Sequence, residues 1–187
     1  MSEPETYTAF VDGRLLASAS IKVVATAINT HGGDLPVLIF EDATGRQVEL
    51  DLRDGPDHAV SEFRARTSPP AAPASRQGRG RPKLGVVARE VTLLPRHWDW
   101  LAAQPGGASA ALRRLVDDAR RTNEGADRQR EVRDAAYRVM SALAGDQPGF
   151  EEASRALFAS DLEKVTREAA AWPSDVRDYV LRLASAS

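Results

Sequence analysis

Arg89-Glu90-Val91-Thr92-Leu93-Leu94-Pro95-Arg96-His97-Trp98-Asp99-Trp100-Leu101 leads, through Pro105-Gly106-Gly107, into Ala108–Arg121. The run up to Leu94, reaching back to Gly85, is rich in β-branched and aliphatic residues and predicts a strand. Pro95 ends it in a position that suits the first turn of a new helix. That helix covers Arg96–Ala103, with Trp98, Leu101 and Ala102 on one face, until the proline and glycines break it. In Ala108–Arg121 the apolar residues Leu112, Leu115, Val116 and Ala119 recur at helical spacing. Arg113, Arg114, Asp117, Asp118, Arg120 and Arg121 occupy the other face. A lone strand leaves its ladder groups without partners. It must therefore pair with another strand of the chain or with its own copy in a second chain. The second solution buries two strands under four helices. It leaves a two-stranded ribbon, open on one face, of a width that suits the DNA major groove.

A ribbon buried on one side should alternate strictly, but Leu93 and Leu94 are adjacent. With Leu94 inward, Val91 and Leu93 point at the groove. With Leu93 inward, Glu90 and Thr92 do; Glu90 would then repel phosphates, though it could accept from a cytosine amino group. The sequence leaves both registers open.

Working outward, Thr67–Gln77 holds three prolines and no large apolar residue, so it reads as an exposed linker. It is followed by the compact basic run Gly78-Arg79-Gly80-Arg81-Pro82-Lys83. Before the linker, Thr6–Val11, the turn Asp12-Gly13 and Arg14–Ser18 predict a hairpin. Ile21–Thr30 predicts a helix and Val37-Leu38-Ile39-Phe40 a buried strand. Gln47–Leu52 predicts a strand with Val48, Leu50 and Leu52 inward, and Asp57–Arg66 a short helix. Beyond the decisive stretch, Ala126–Ala144, Phe150–Phe158, Asp161–Ala171 and Ser174–Leu183 predict helices, with Pro148 and Pro173 at breaks. The expected class is α+β. A small N-terminal ββαββ domain (1–66) is followed by a Pro-rich linker (67–83), a central strand-helix-helix unit (84–122) and a C-terminal α-helical region (123–187).

At 42% hydrophobic and 28% charged, the 187 residues suit a soluble folded protein. No cysteine is present, which excludes disulfides, thiolate metal sites and cysteine nucleophiles and fits a reducing compartment. No apolar run approaches the ~18 residues of a membrane span, and the acidic start lacks the plan of a secretory signal. The expected location is cytoplasmic and nucleoid-associated. The net charge of −2 conceals a gradient: −5 over residues 1–75, +6 over 76–122 and −3 over 123–187. A basic middle between acidic ends points to nucleic acid, because binding responds to the local field.

Two resemblances sharpen that expectation. Residues Arg89–Leu101, Gly107-Ala108-Ser109 and Leu112–Val116 resemble the ribbon-helix-helix family of bacterial DNA-binding dimers. The resemblance implies that Arg89 and Thr92 face bases and that the Ala108 and Ser109 amides, at a helix N-terminus, hold a phosphate. Arg79-Gly80-Arg81-Pro82 resembles the core of an AT-hook, an extended segment lying in the narrow minor groove of A·T-rich DNA. Lys83, Arg96, Arg113 and Arg114 complete the candidate DNA contacts. The chain as a whole resembles a bacterial family, domain of unknown function 2239. The residues that carry this are Leu38–Arg53, Gly80–Leu101 and Gly149–Phe158. That family implies no activity.

Elsewhere the plainer readings hold. Trp98 and Trp100 cannot share a helix face, so one is expected in the core and the other at a dimer seam or half exposed. His31, His58 and His97 are scattered, without metal-ligand spacing. Glu41, Asp42, Glu49, Asp51, Asp54 and Asp57 read as a solvated face rather than a cation site. No catalytic constellation, metal site or cofactor motif is readable, so an enzyme is not expected. The expected function is a homodimeric DNA-binding protein, a transcriptional regulator or nucleoid-type binder, whose partners are double-stranded DNA and itself, with no membrane. The alternative is a protein-interaction or oligomerisation module without DNA binding, its partner held by the acidic terminal domains.

Overall fold

The computed structural model describes residues 5–32, 35–67 and 89–186. These residues form a mixed α and β structure, with one four-stranded antiparallel sheet and seven α-helices among them. The chain divides into two compact units, residues 1–68 with 126–187, and residues 69–125.

The first unit is built on β1 (Tyr7–Val11), β2 (Arg14–Ala19), β3 (Val37–Glu41) and β4 (Gln47–Val48), in spatial order β2-β1-β3-β4. Asp12 and Gly13, at φ +48° and +72°, close the β1–β2 hairpin with the left-handed pair that matches strand twist. β3 then pairs with β1, setting Tyr7 opposite Glu41 and Val11 opposite Val37. Every residue of β1 is buried, so both faces of the sheet are covered.

One face carries Tyr7, Ala9 and Ile39 against α1 (Ile21–His31) and α2 (Pro56–Thr67), through Ile21, Val24, Ala25 and Val60. The other carries Phe10 and Phe40 against the C-terminal helices. Those are the second half of α4 (Gly107–Ala144), α5 (Phe150–Phe158), α6 (Leu162–Glu168) with a following 3-10 turn at Ala169–Ala171, and α7 (Ser174–Ala184). Val139, Met140, Leu157, Val165, Trp172, Val176 and Val180 complete that core. Burying a large apolar side chain contributes about 1.5–3 kcal/mol, and here long-range partners supply the surface. Segments 1–66 and 123–187, read from sequence as separate domains, thus share one core.

Other expectations are corrected. Gln47–Leu52 is a strand only at Gln47–Val48, although Leu50 and Leu52 still pack on the α1 side. The two helices expected at 108–121 and 126–144 are one helix of 38 residues. One glycine inside a helix costs only ~1 kcal/mol relative to alanine, so Gly125 does not break it. The side chains of Thr122 and Asn123, which lie between the two expected helices, donate to the Asp118 and Ala119 carbonyls at 2.9 and 2.8 Å.

The sheet edges are managed locally. β4 is only two residues long, and the first amides of β2 include Leu15 N–H, which donates to Asp175 Oδ2 on α7 at 2.8 Å. At the end of β3, Asp42 joins strand to helix. It accepts from Thr8 Oγ1 at 2.7 Å and from the Tyr179 hydroxyl at 2.8 Å, both on Oδ1. Its Oδ2 is buried without a hydrogen bond, and Arg182 Nη1 lies 3.7 Å away. Arg182 also stacks over the Tyr179 ring, 4.9 Å from its centroid. Burial, and then the Asp42 charge, push the Tyr179 hydroxyl far above its ordinary value. Burial, reinforced by Glu5 and Glu41, pushes Tyr7 up to about 12.

Candidate nucleic-acid interface

In the second unit the described residues are an extended segment, α3 (Pro95–Ala102) and the first half of α4. Leu94 is extended at φ −69° and ψ 151°, and Pro95 opens α3, whose first free amides, His97 and Trp98, return to the Leu94 carbonyl at 2.8 and 3.3 Å. Gln104 Nε2 donates to the Trp100 carbonyl at 3.2 Å, and Gly107 N–H to the Gln104 carbonyl at 2.9 Å, closing the turn into α4.

Arg89–Leu94 forms no strand in the single chain. The physical reason is the one that made a lone strand untenable: no described strand of this chain lies in register with it, so its ladder groups stay unpaired. Residues 85–88 of the expected strand lie outside the described residues. So do Arg79, Arg81 and Lys83 of the basic arm, and nearly all of the linker.

The remaining site residues are accounted for individually. Arg89, Thr92 and Arg96 are exposed. Ala108 is half-buried and Ser109 exposed, both in the first turn of α4. Arg113 Nη2 donates to Ser109 Oγ at 3.0 Å, one helical turn apart. Arg114 Nη2 donates to the Pro105 carbonyl at 2.9 Å and so braces the turn before its own helix. The structure therefore gathers Ser109, Arg113 and Arg114 around the start of α4, while Arg89, Thr92 and Arg96 make no hydrogen bond with them. Farther along, Arg121 pairs with Asp118, so part of the positive charge on this helix is neutralised within it.

What sequence reasoning misses is the lack of cover. From 89 to 125 only Leu101 and Ala111 are buried hydrophobics. Val91, Leu94, Trp98, Trp100, Leu115 and Val116 are 56%, 47%, 42%, 52%, 46% and 55% exposed. Neither tryptophan lies in a core, contrary to the expectation that one would, because α3 has too few neighbours among the described residues of this unit to enclose an indole. Leu115 and Val116 belong to the stripe whose periodicity marked a buried face, so the signal was present, and among the described residues its counterpart surface is missing.

The acidic residues of the N-terminal region do not converge. Glu41 accepts from Thr44 Oγ1, Asp51 pairs with Arg53, Asp57 with Lys22 at 2.9 Å, and His58 lies 3.9 Å from Asp54. The Arg53 contact holds the Asp51 carboxyl well below the usual range. Among the described residues no group of three or more His, Asp or Glu is placed to hold a metal ion. Nor is any described helix long and apolar enough to cross a membrane.

No curated protein and no solved structure matches the chain. One family does match, described as "uncharacterized protein conserved in bacteria", domain of unknown function 2239, over residues 6–184. That span takes in both units, and the chain belongs to this bacterial family.

Proposed function

We propose that the chain acts as a homodimeric DNA-binding protein, a transcriptional regulator or nucleoid-type binder. In this reading Arg89–Leu94 of two copies pair as a ribbon, α3 and the start of α4 pack across the dimer, and the basic arm lies in a minor groove. The observation that carries the reading is the second unit's uncovered apolar surface. Six large hydrophobic residues half open to water, beside two buried ones among the described residues 89–125, need a partner to repay ordering. A second copy satisfies both needs at once, covering the leucine and tryptophan faces and supplying the missing strand. The order extended segment, proline, short helix, break and longer helix supports this, as does the run of four cations without an acid at Arg76, Arg79, Arg81 and Lys83.

Salt-titrated gel shifts on duplex DNA test the reading. Each phosphate neutralised adds about 0.9 to the slope of log K against log salt. Arg79→Ala with Arg81→Ala weakens binding most on A·T-rich sequence, and absence of any shift at low salt overturns it.

A second reading, oligomerisation without DNA, is favoured by the charge balance of the helices themselves. Residues 89–122 carry six arginines and four carboxylates, so most of the basic surplus lies in the arm. A stable dimer that ignores DNA at low salt would select that reading.

A further inference from the structure

In the first unit the β3–β4 turn is pressed against α4. Gly45 is buried at φ +64°, and a Cβ built there would lie 2.2 Å from the Ala135 carbonyl oxygen, so a side chain is excluded. Arg138 Nη1 donates to the Thr44 carbonyl at 2.6 Å and pins the same turn. Beside these contacts opens a cleft of about 520 Å³, lined chiefly by Phe40, Arg46, Gln47, Tyr137, Arg138 and Ser141. That volume lies within the ~300–1,000 Å³ typical of small-molecule sites.

The lining is chemically one-sided. Two guanidinium groups face it and no carboxylate does. Among the described residues the Arg46 guanidinium has no partner, and Arg138 spends one donor of its five on Thr44. The exposed Tyr137 ring adds aromatic surface, with buried Phe40 forming only the floor beneath, while Ser141 and Gln47 add neutral hydrogen-bonding groups. A cation would be repelled here, and a bare inorganic anion would leave the aromatic surface unused. We infer that the cleft binds a small aromatic oxyanion, a flat ring bearing a carboxylate or a phosphate. Arg46 takes the charge through paired N–H donors, and the exposed Tyr137 ring lies against the ligand ring. None of these residues belongs to the proposed DNA contacts, so the inference stands or falls independently of them.

The test is titration of the full chain with benzoate, phenyl phosphate and inorganic phosphate, followed by amide chemical shifts. The expected result is saturable binding of an aromatic ligand, with inorganic phosphate at least about ten-fold weaker. Preference between benzoate and phenyl phosphate identifies the head group. Arg46→Ala, on an exposed turn position, weakens the aromatic ligand at least about ten-fold with an unchanged melting curve. Ser141→Phe, which fills the cleft from an exposed helix position, abolishes binding. Three outcomes overturn the inference: no saturable binding of either aromatic ligand, equal affinity for inorganic phosphate, or unchanged affinity in Arg46→Ala.

Discussion

The two units handle the same kinds of residue in opposite ways. In residues 5–67 and 126–186, apolar periodicity ends in burial, with Phe10, Phe40, Val139 and Val180 all closed to solvent. In residues 89–125, an equally regular stripe on α4 ends in exposure, with Leu115 and Val116 open. The difference is one of partners rather than of pattern. The first unit supplies both sides of its core from distant parts of the chain, whereas the described residues of the second supply one side only. An amphipathic stripe states that a surface is to be covered and leaves open by which chain.

The sharpest way to break this contrast is to cut into each side separately. Phe10→Ala removes a ring packed at 6.4 Å from Phe40 and 5.2 Å from Tyr179, and should cost about 3–5 kcal/mol in denaturant unfolding. A cost below 1 kcal/mol would mean that the sheet's second face is not the main core.

Smaller effects come from the polar joint of that core. Tyr179→Phe leaves the Asp42 carboxyl with one hydrogen-bond donor fewer and should cost about 1–2 kcal/mol. The same joint makes the unit sensitive to base. The raised folded-state values of Tyr7 and Tyr179 mean that the unfolded chain releases protons first as pH rises. Their stabilisation is complete below about pH 10, the ordinary tyrosine value. It declines above that, with Tyr7 spent near 12. Alkaline melting curves check this, and Tyr179→Phe should flatten the decline.

The smallest effect on the first unit should come from the second. Leu115→Glu with Val116→Glu, two exposed positions, should shift unfolding of the first unit by no more than about 0.5 kcal/mol. The same pair should separate the dimer. A large loss of first-unit stability would blur the contrast between the units.

Much of this was legible in the residues themselves. Asp12-Gly13 announced its hairpin, and Pro95 and Pro105-Gly106 bracketed α3, because turn chemistry is local. The run Val37-Leu38-Ile39-Phe40 held a clue that was only half used. A strand apolar on successive positions is buried on both faces, which demands a second helical layer, and α4 to α7 provide it. Local reading kept those segments apart because nothing in their spacing records a contact more than a hundred residues away. The gap left between the helices expected at 108–121 and 126–144 closes for the opposite reason, since a weakly patterned stretch matters less than the helix on either side of it. Of the candidate site, Ser109, Arg113 and Arg114 were each expected near the start of the second helix, and the hydrogen bond from Arg113 to Ser109 spans one turn there. The openness of Trp98 and Trp100 did not, because burial depends on neighbours that the local pattern cannot name.

Sedimentation equilibrium of the full chain over a wide concentration range tests the central claim most directly. A homodimer joined through residues 89–125 predicts a mass twice the 20.2 kDa of one chain, falling to 20.2 kDa in Leu115→Glu with Val116→Glu. A particle of single-chain mass at every concentration, with those apolar residues left in water, would contradict it.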